Sequence, residues 1–144
     1  MILKWLALAV LCGLGIALYL WKKRVSTLKQ FSISHMSSFI PERFSVQILK
    51  VKTDDGYILQ LFNVRSKTHF NPHLNPVLLQ HGLGSSAASY LICEFQSPAF
   101  VLADLGCDVY LANNRGTVYS LTHEKFTVKN KEFWDFSFQD MALD

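Results

Sequence analysis

The run Val77-Leu78-Leu79-Gln80, followed at once by His81-Gly82-Leu83-Gly84, constrains the fold of this chain more than any other feature. A segment that is apolar at nearly every position predicts a short strand covered on both faces, as in a parallel sheet. The glycine-flanked tetrapeptide predicts a turn at the end of that strand. Asp108 to Ala112 repeats the pattern and predicts a second buried strand. Between the two, Ser97-Pro98 opens a helix: serine suits the N-cap, and proline suits the first turn, where its missing N–H costs nothing. Ala99 to Leu105 continues that helix, and Gly106 is placed to end it. Strand, helix, strand is a βαβ crossover of expected right hand, so the fold class is α/β.

Upstream, Val46 to Lys52 and Tyr57 to Val64 are β-rich runs joined by Asp54-Asp55-Gly56, a strong hairpin signal. Arg65 to Asn75 is polar, contains Pro72, and predicts an exposed loop. Downstream, Phe133-Trp134-Asp135-Phe136-Ser137-Phe138 is dense in aromatic rings, and Ser137-x-x-Asp140 has the spacing of a capping box. Only Met141 to Asp144 follow, and so short a helix does not stand alone in water. The end therefore reads as an interruption.

The chain has 144 residues, enough for one domain. Trp5 to Trp21 holds no charged residue, and as a helix this run would extend roughly 25 Å, the short end of what a membrane core accepts. Lys22-Lys23-Arg24 follows with tyrosine and tryptophan at the boundary. Residues 1–24 are thus expected to be a signal anchor or a signal peptide, with the poor exit at Tyr19-Leu20-Trp21 favouring a retained anchor. The positive-inside rule points the remainder toward the cytosol. Residues 25–44 read as a linker and residues 45–144 as the domain. Five of the 14 basic residues precede Gln30, whereas all 11 acids follow it, so the net charge of +3 belongs to the membrane boundary and implies no nucleic-acid face. Cys93 and Cys107 sit in apolar company and are expected to be buried thiols. No Asn-x-Ser/Thr sequon occurs.

His81-Gly82-Leu83-Gly84 carries the chemistry. Acyl transfer needs backbone N–H donors aimed at the developing oxyanion, and a strand followed by His-Gly is where α/β-hydrolases place one of them. On that reading the Leu83 N–H is the donor, and the flanking glycines admit substrate; the tetrapeptide alone also fits a plain glycine turn. Gly82-Leu83-Gly84-Ser85-Ser86-Ala87 matches a dinucleotide fingerprint, with Asn113-Asn114-Arg115 facing a 2′-phosphate, but such a fold starts a helix on the glycines themselves, whereas the clear helix signal here comes later. Ser86 lies too far past the strand to be an elbow nucleophile. His69 and His73 have ligand spacing, yet Pro72 between them argues for loop histidines and no metal. His35 and His123 show no evident partners. Asp135 and Asp140 read as cap and helix-start charges.

Taken in order, these segments resemble the N-terminal third of the acid lipase family of α/β-hydrolases, the gastric and lysosomal lipases and sterol ester hydrolases. The matching stretches are 55–59, 77–83, 99–111, Asn113-Asn114-Arg115-Gly116, Tyr119-Ser120 and 133–138. The resemblance implies an incomplete α/β-hydrolase fold: an N-terminal hairpin plus the first βαβ crossover, preceded here by an apolar helix. It implies hydrolysis of triacylglycerols or sterol esters by a Ser-Asp-His triad, without cofactor. It also implies entry to the secretory pathway, against the cytosolic placement. No Gly-x-Ser-x-Gly occurs in the chain, so no triad residue carries over and only the Leu83 amide does. Gly84, Cys107 and Asn114 depart from the common leucine, tyrosine and serine, and the Asn113 to Gly116 stretch reads as structural. Two functions follow: the front of a membrane-associated lipase whose lipid ester substrate requires a C-terminal half, or an inactive truncated membrane protein that binds lipid or a partner.

Overall fold

Alternation along one strand sorts the molecule into two faces. The computed structural model describes residues 40–142. In it β1 (Phe44–Lys52) and β2 (Tyr57–Ser66) form an antiparallel hairpin, in register from Phe44 opposite Ser66 to Lys52 opposite Ile58. The turn is closed by Gly56 N–H to Thr53 O at 3.0 Å and Thr53 N–H to Tyr57 O at 2.9 Å. β3 (Val77–Leu79) and β4 (Val109–Leu111) pair in parallel, as the two apolar runs predict. β4 also pairs antiparallel with β2, and β5 (Thr122–His123) pairs with the start of β2. The main path of the mixed sheet is β1-β2-β4-β3.

Helix α1 (Pro98–Asp104) covers one face. Phe62 and Val64 of β2, Val109 and Leu111 of β4, and Phe100 and Ala103 of α1 are all fully buried there. The Phe44 ring stacks on Phe100 with centroids 4.7 Å apart. Each of the larger buried side chains contributes about 1.5–3 kcal/mol through the hydrophobic effect. α1 ends as Gly106 predicts: Gly106 N–H bonds to Ala103 O at 3.0 Å and Cys107 N–H to Leu102 O at 3.1 Å, the Schellman pair. Gly106 sits at φ +95°, and a Cβ there would approach His69 O to 2.8 Å, so only glycine fits.

The opposite face departs from expectation. Leu78 is not covered on both sides but 62% exposed, because β3 lies at the sheet edge and no described helix packs over it. Tyr57 and Leu59 on that face are sealed instead by Phe133, at the far end of β2. Tyr57 donates its hydroxyl to Phe133 O. Two further expectations need correction. Cys93 is exposed, since it leads into a surface 3₁₀ turn at Glu94–Gln96. Ser97 is the N-cap by position, but its side chain caps nothing; its hydroxyl is buried without a partner while its carbonyl accepts Phe100 and Val101 N–H.

Helix α2 (Phe138–Ala142) carries the predicted capping box: Ser137 N–H and Oγ–H donate to Asp140 Oδ2 at 2.6 and 2.7 Å. Among the described residues no helix is long and apolar enough to cross a membrane. The apolar helix expected over Trp5 to Trp21, with the anchor or signal peptide at 1–24, lies outside the described residues, as does His35.

Candidate active site

β3 and β4 end side by side, and the loops that leave them meet. The β4 exit, Asn113 to Gly116, has its polar groups engaged. Asn113, 1% exposed, accepts Ala87 N–H on Oδ1 and donates Nδ2–H to Gln60 O, both at 2.9 Å. Its own carbonyl accepts Ser120 Oγ–H, and that same Oγ accepts Gln60 N–H. The buried Arg115 forks onto Asp55 and lies over the Tyr57 ring at 4.2 Å. The structural reading of this stretch agrees with these contacts.

The β3 exit is built differently. Gly82 to Ser85 is a turn closed by Ser85 N–H to Gly82 O at 3.2 Å. Gly84 occupies its third position at φ +73°, the pattern of a type II turn that excludes most other residues. Leu83 holds the second position with its side chain 79% exposed. Its amide makes no hydrogen bond among the described residues. A Cβ on Gly82 would meet nothing within 4 Å, so the space beside the amide is open.

Leu83 lines an open groove of about 520 Å³. Leu61, Leu78, Leu83, Phe138 and Met141 make its walls mainly apolar, while Gln80 and Asn114 add polar side chains. Gln80 Nε2–H donates to Asn114 Oδ1 at 2.7 Å, joining the two strand ends. The groove has the size and character of a small-ligand site. A lone N–H donor beside an apolar trough suits an acyl chain whose carbonyl oxygen gains negative charge.

The remaining candidates fall away. Ser86 is the N-cap of a 3₁₀ turn at Ala87–Tyr90, and its side chain makes no capping hydrogen bond there. No regular helix starts on the glycines, because α1 begins at Pro98; a dinucleotide pyrophosphate would have no helix N-terminus there. His69 and His73 are exposed in the loop, with His69 Nδ1 near the Ser66 and Thr68 hydroxyls. Among the described residues no group of three or more metal-ligating side chains converges. Asp140 is the capping-box acid, and Asp135 ends a 3₁₀ turn.

His123 needs correction, since it is well partnered. Its Nδ1 accepts Lys125 and Phe126 N–H, its Nε2 bonds to Asp55 O at 3.0 Å, and its ring sits edge-on to Tyr57. The sequence also hides what the His81 side chain does. It is only 6% exposed, with Nδ1 2.8 Å from Gly82 O and Nε2 3.3 Å from Asn114 N. A histidine between an apolar run and a glycine was the available signal.

Residues 41–94 match the family model described as a partial alpha/beta-hydrolase lipase region. The chain is 39% identical over 153 residues to triacylglycerol lipase 1 of Arabidopsis thaliana, covering 98% of this chain and 36% of that protein. It is 41% identical over 97 residues to gastric triacylglycerol lipase of Bos taurus, covering 65% and 24%. It is 40% identical over 96 residues to human lysosomal acid lipase/cholesteryl ester hydrolase, covering 64% and 24%. The chain therefore spans only about a quarter to a third of the length of these relatives. With the mixed sheet, the crossover and the ordered motifs in place, the chain belongs to the acid lipase family of α/β-hydrolases and corresponds to its N-terminal region.

Proposed function

We propose that this region supplies one oxyanion donor, the Leu83 amide, and part of the acyl-binding surface of a lipase. The substrates are lipid carboxylic esters, triacylglycerols or sterol esters, the classes named for the relatives. One observation carries the reading: Leu83 lines an apolar groove, and its backbone N–H makes no hydrogen bond among the described residues. A donor already in place stabilises the tetrahedral intermediate without reorganising, and such a group is worth about 3–4 kcal/mol. No Gly-x-Ser-x-Gly occurs in the sequence, so these residues do not themselves provide the attacking serine. Oxyanion donors without a nucleophile give no covalent turnover. In this reading residues 5–21 hold the protein at a membrane, close to its substrate.

The test is a hybrid in which residues 40–142 replace the matching region of bovine gastric triacylglycerol lipase, whose 41% identity makes the exchange feasible. The hybrid is expected to hydrolyse a short-chain ester and to be silenced by a serine-directed phosphonate. Leu83→Pro removes the N–H while keeping the turn, because proline is favoured at the second position of a type II turn, and Leu83→Ala serves as its control by removing the groove-wall side chain while keeping the N–H. Relative to Leu83→Ala, the proline variant should lose roughly 10²–10³-fold in kcat with circular dichroism unchanged. An unchanged kcat in the proline variant overturns the assignment. The 144-residue chain by itself should show no phosphonate-sensitive turnover.

A further inference from the structure

The Leu83 amide points where it does because something holds the other end of its peptide unit. A peptide is planar and trans, so the Gly82 carbonyl and the Leu83 N–H lie in one plane and point in opposite directions. Gly82 O is engaged by His81 Nδ1 at 2.8 Å and by Ser85 N–H at 3.2 Å. Anchoring that oxygen toward the protein turns the N–H away from it, toward the open side.

His81 is itself held. Its ring is buried, and Nε2 lies 3.3 Å from Asn114 N–H at the end of β4. Asn114 is fixed in turn by Gln80 on its side chain and by Thr117 Oγ–H on its carbonyl at 2.8 Å. The partners dictate the tautomer. A carbonyl can only accept, so Nδ1 carries the hydrogen; an amide can only donate, so Nε2 is bare. A line of bonds therefore runs from the β4 end through one imidazole to the carbonyl behind the candidate donor.

We infer that His81 is a positioning residue that sets the direction of the Leu83 N–H by donating from Nδ1 to the Gly82 carbonyl. The inference rests on the reading of that N–H as the oxyanion donor. It assigns His81 no contact with substrate and no proton transfer.

Two substitutions separate the two ring nitrogens. Asparagine places its amide near the position of Nδ1, so His81→Asn keeps a donor for Gly82 O and drops the bond from Asn114. Glutamine reaches the position of Nε2, so His81→Gln keeps that acceptor and drops the donor. The measurement is the residual dipolar coupling of the Leu83 N–H bond in the ¹⁵N-labelled full chain in detergent micelles. It should keep the parent value in His81→Asn and shift in His81→Gln, with couplings along β1 and β2 unchanged in both. A parent-like value in His81→Gln, or a shift in both variants, overturns the proposal. Should the variants fail to fold, long-range ¹H–¹⁵N correlation on the unsubstituted chain decides: protonated Nδ1 with bare Nε2 is expected, and any other state at neutral pH overturns it. The two readings fail separately. The proline variant of the hybrid lipase tests the donor by turnover, whereas these couplings test only its orientation.

Discussion

The loops leaving β3 and β4 lie next to each other and follow similar strands, yet they handle their polar groups in opposite ways. In the β4 exit, Asn113 and Arg115 are buried with every described bond directed at other parts of the protein, to Gln60, Ala87, Ser120 and Asp55. In the β3 exit, one histidine and one turn engage a carbonyl and leave the following N–H without a partner among the described residues. Under the proposed function, adjacent loops of one sheet divide two tasks, one holding the frame and the other offering a donor. Substitutions should then separate, with stability lost at the first loop and turnover lost at the second.

The largest stability effect is expected at Asn113→Ala. It leaves the Ala87 N–H and the Gln60 carbonyl without their partners at a buried site, a loss of about 2–4 kcal/mol. Urea unfolding of the full chain measures it, and a midpoint equal to the parent's would dissolve the contrast between the loops. Leu83→Pro should leave that midpoint in place.

A smaller effect is expected in acid. Asp108 accepts Arg65, Asn63 and Tyr110, and the Arg65 bonds first, then those from Asn63 and Tyr110, outweigh burial and hold its carboxyl below the usual 3.8. At Asp55 burial pushes upward, but the Thr53 and Arg115 hydrogen bonds outweigh it and the net direction is also down. A depressed carboxylate stabilises the fold fully above its unfolded value and loses that contribution as pH falls through the folded one. Stability should therefore fall below about pH 4, and Asp108→Asn should flatten that limb in unfolding midpoints taken across the range. An unaltered acid limb would show that the Arg65–Asp108 pair gives the frame no pH dependence.

The smallest effect is expected at Ser97→Ala. Loss of a working N-cap costs about 1 kcal/mol. The Ser97 hydroxyl is buried and bonds to nothing among the described residues, so alanine should lose no capping energy and should raise stability by about 1 kcal/mol in thermal unfolding, through removal of an unpaired polar group. A full capping loss would mean that this hydroxyl, like the Asn113 amide, belongs with the frame.

What the sequence made legible was local. Apolar runs marked β3 and β4, Asp-Gly marked the hairpin, Pro98 and Gly106 bracketed α1, and Ser137 with Asp140 announced their own capping box. Each of these signals is complete within a few residues. What escaped depends on partners far along the chain. Exposure of Leu78 is decided by what does or does not pack over β3, which periodicity cannot report. His123 meets Asp55 68 residues away, and Asn113 meets Gln60 53 residues away. At the candidate site the turn that carries Leu83 was readable from the strand and glycines. The reason its N–H is free was not, because that lies in a side chain one strand end away from Asn114.

The bonds of Asn113 have a consequence for how the molecule breathes. Among the described strands β1 is an edge, paired with β2 alone, and most of its residues face water. The Ala87 N–H lies in an irregular segment yet is fully buried and locked to a side chain that also grips β2. Local opening follows protection and not regularity. In deuterium exchange, the amide of Ala87 should outlast much of β1, so the slowest protons of this sheet will map partly to a loop.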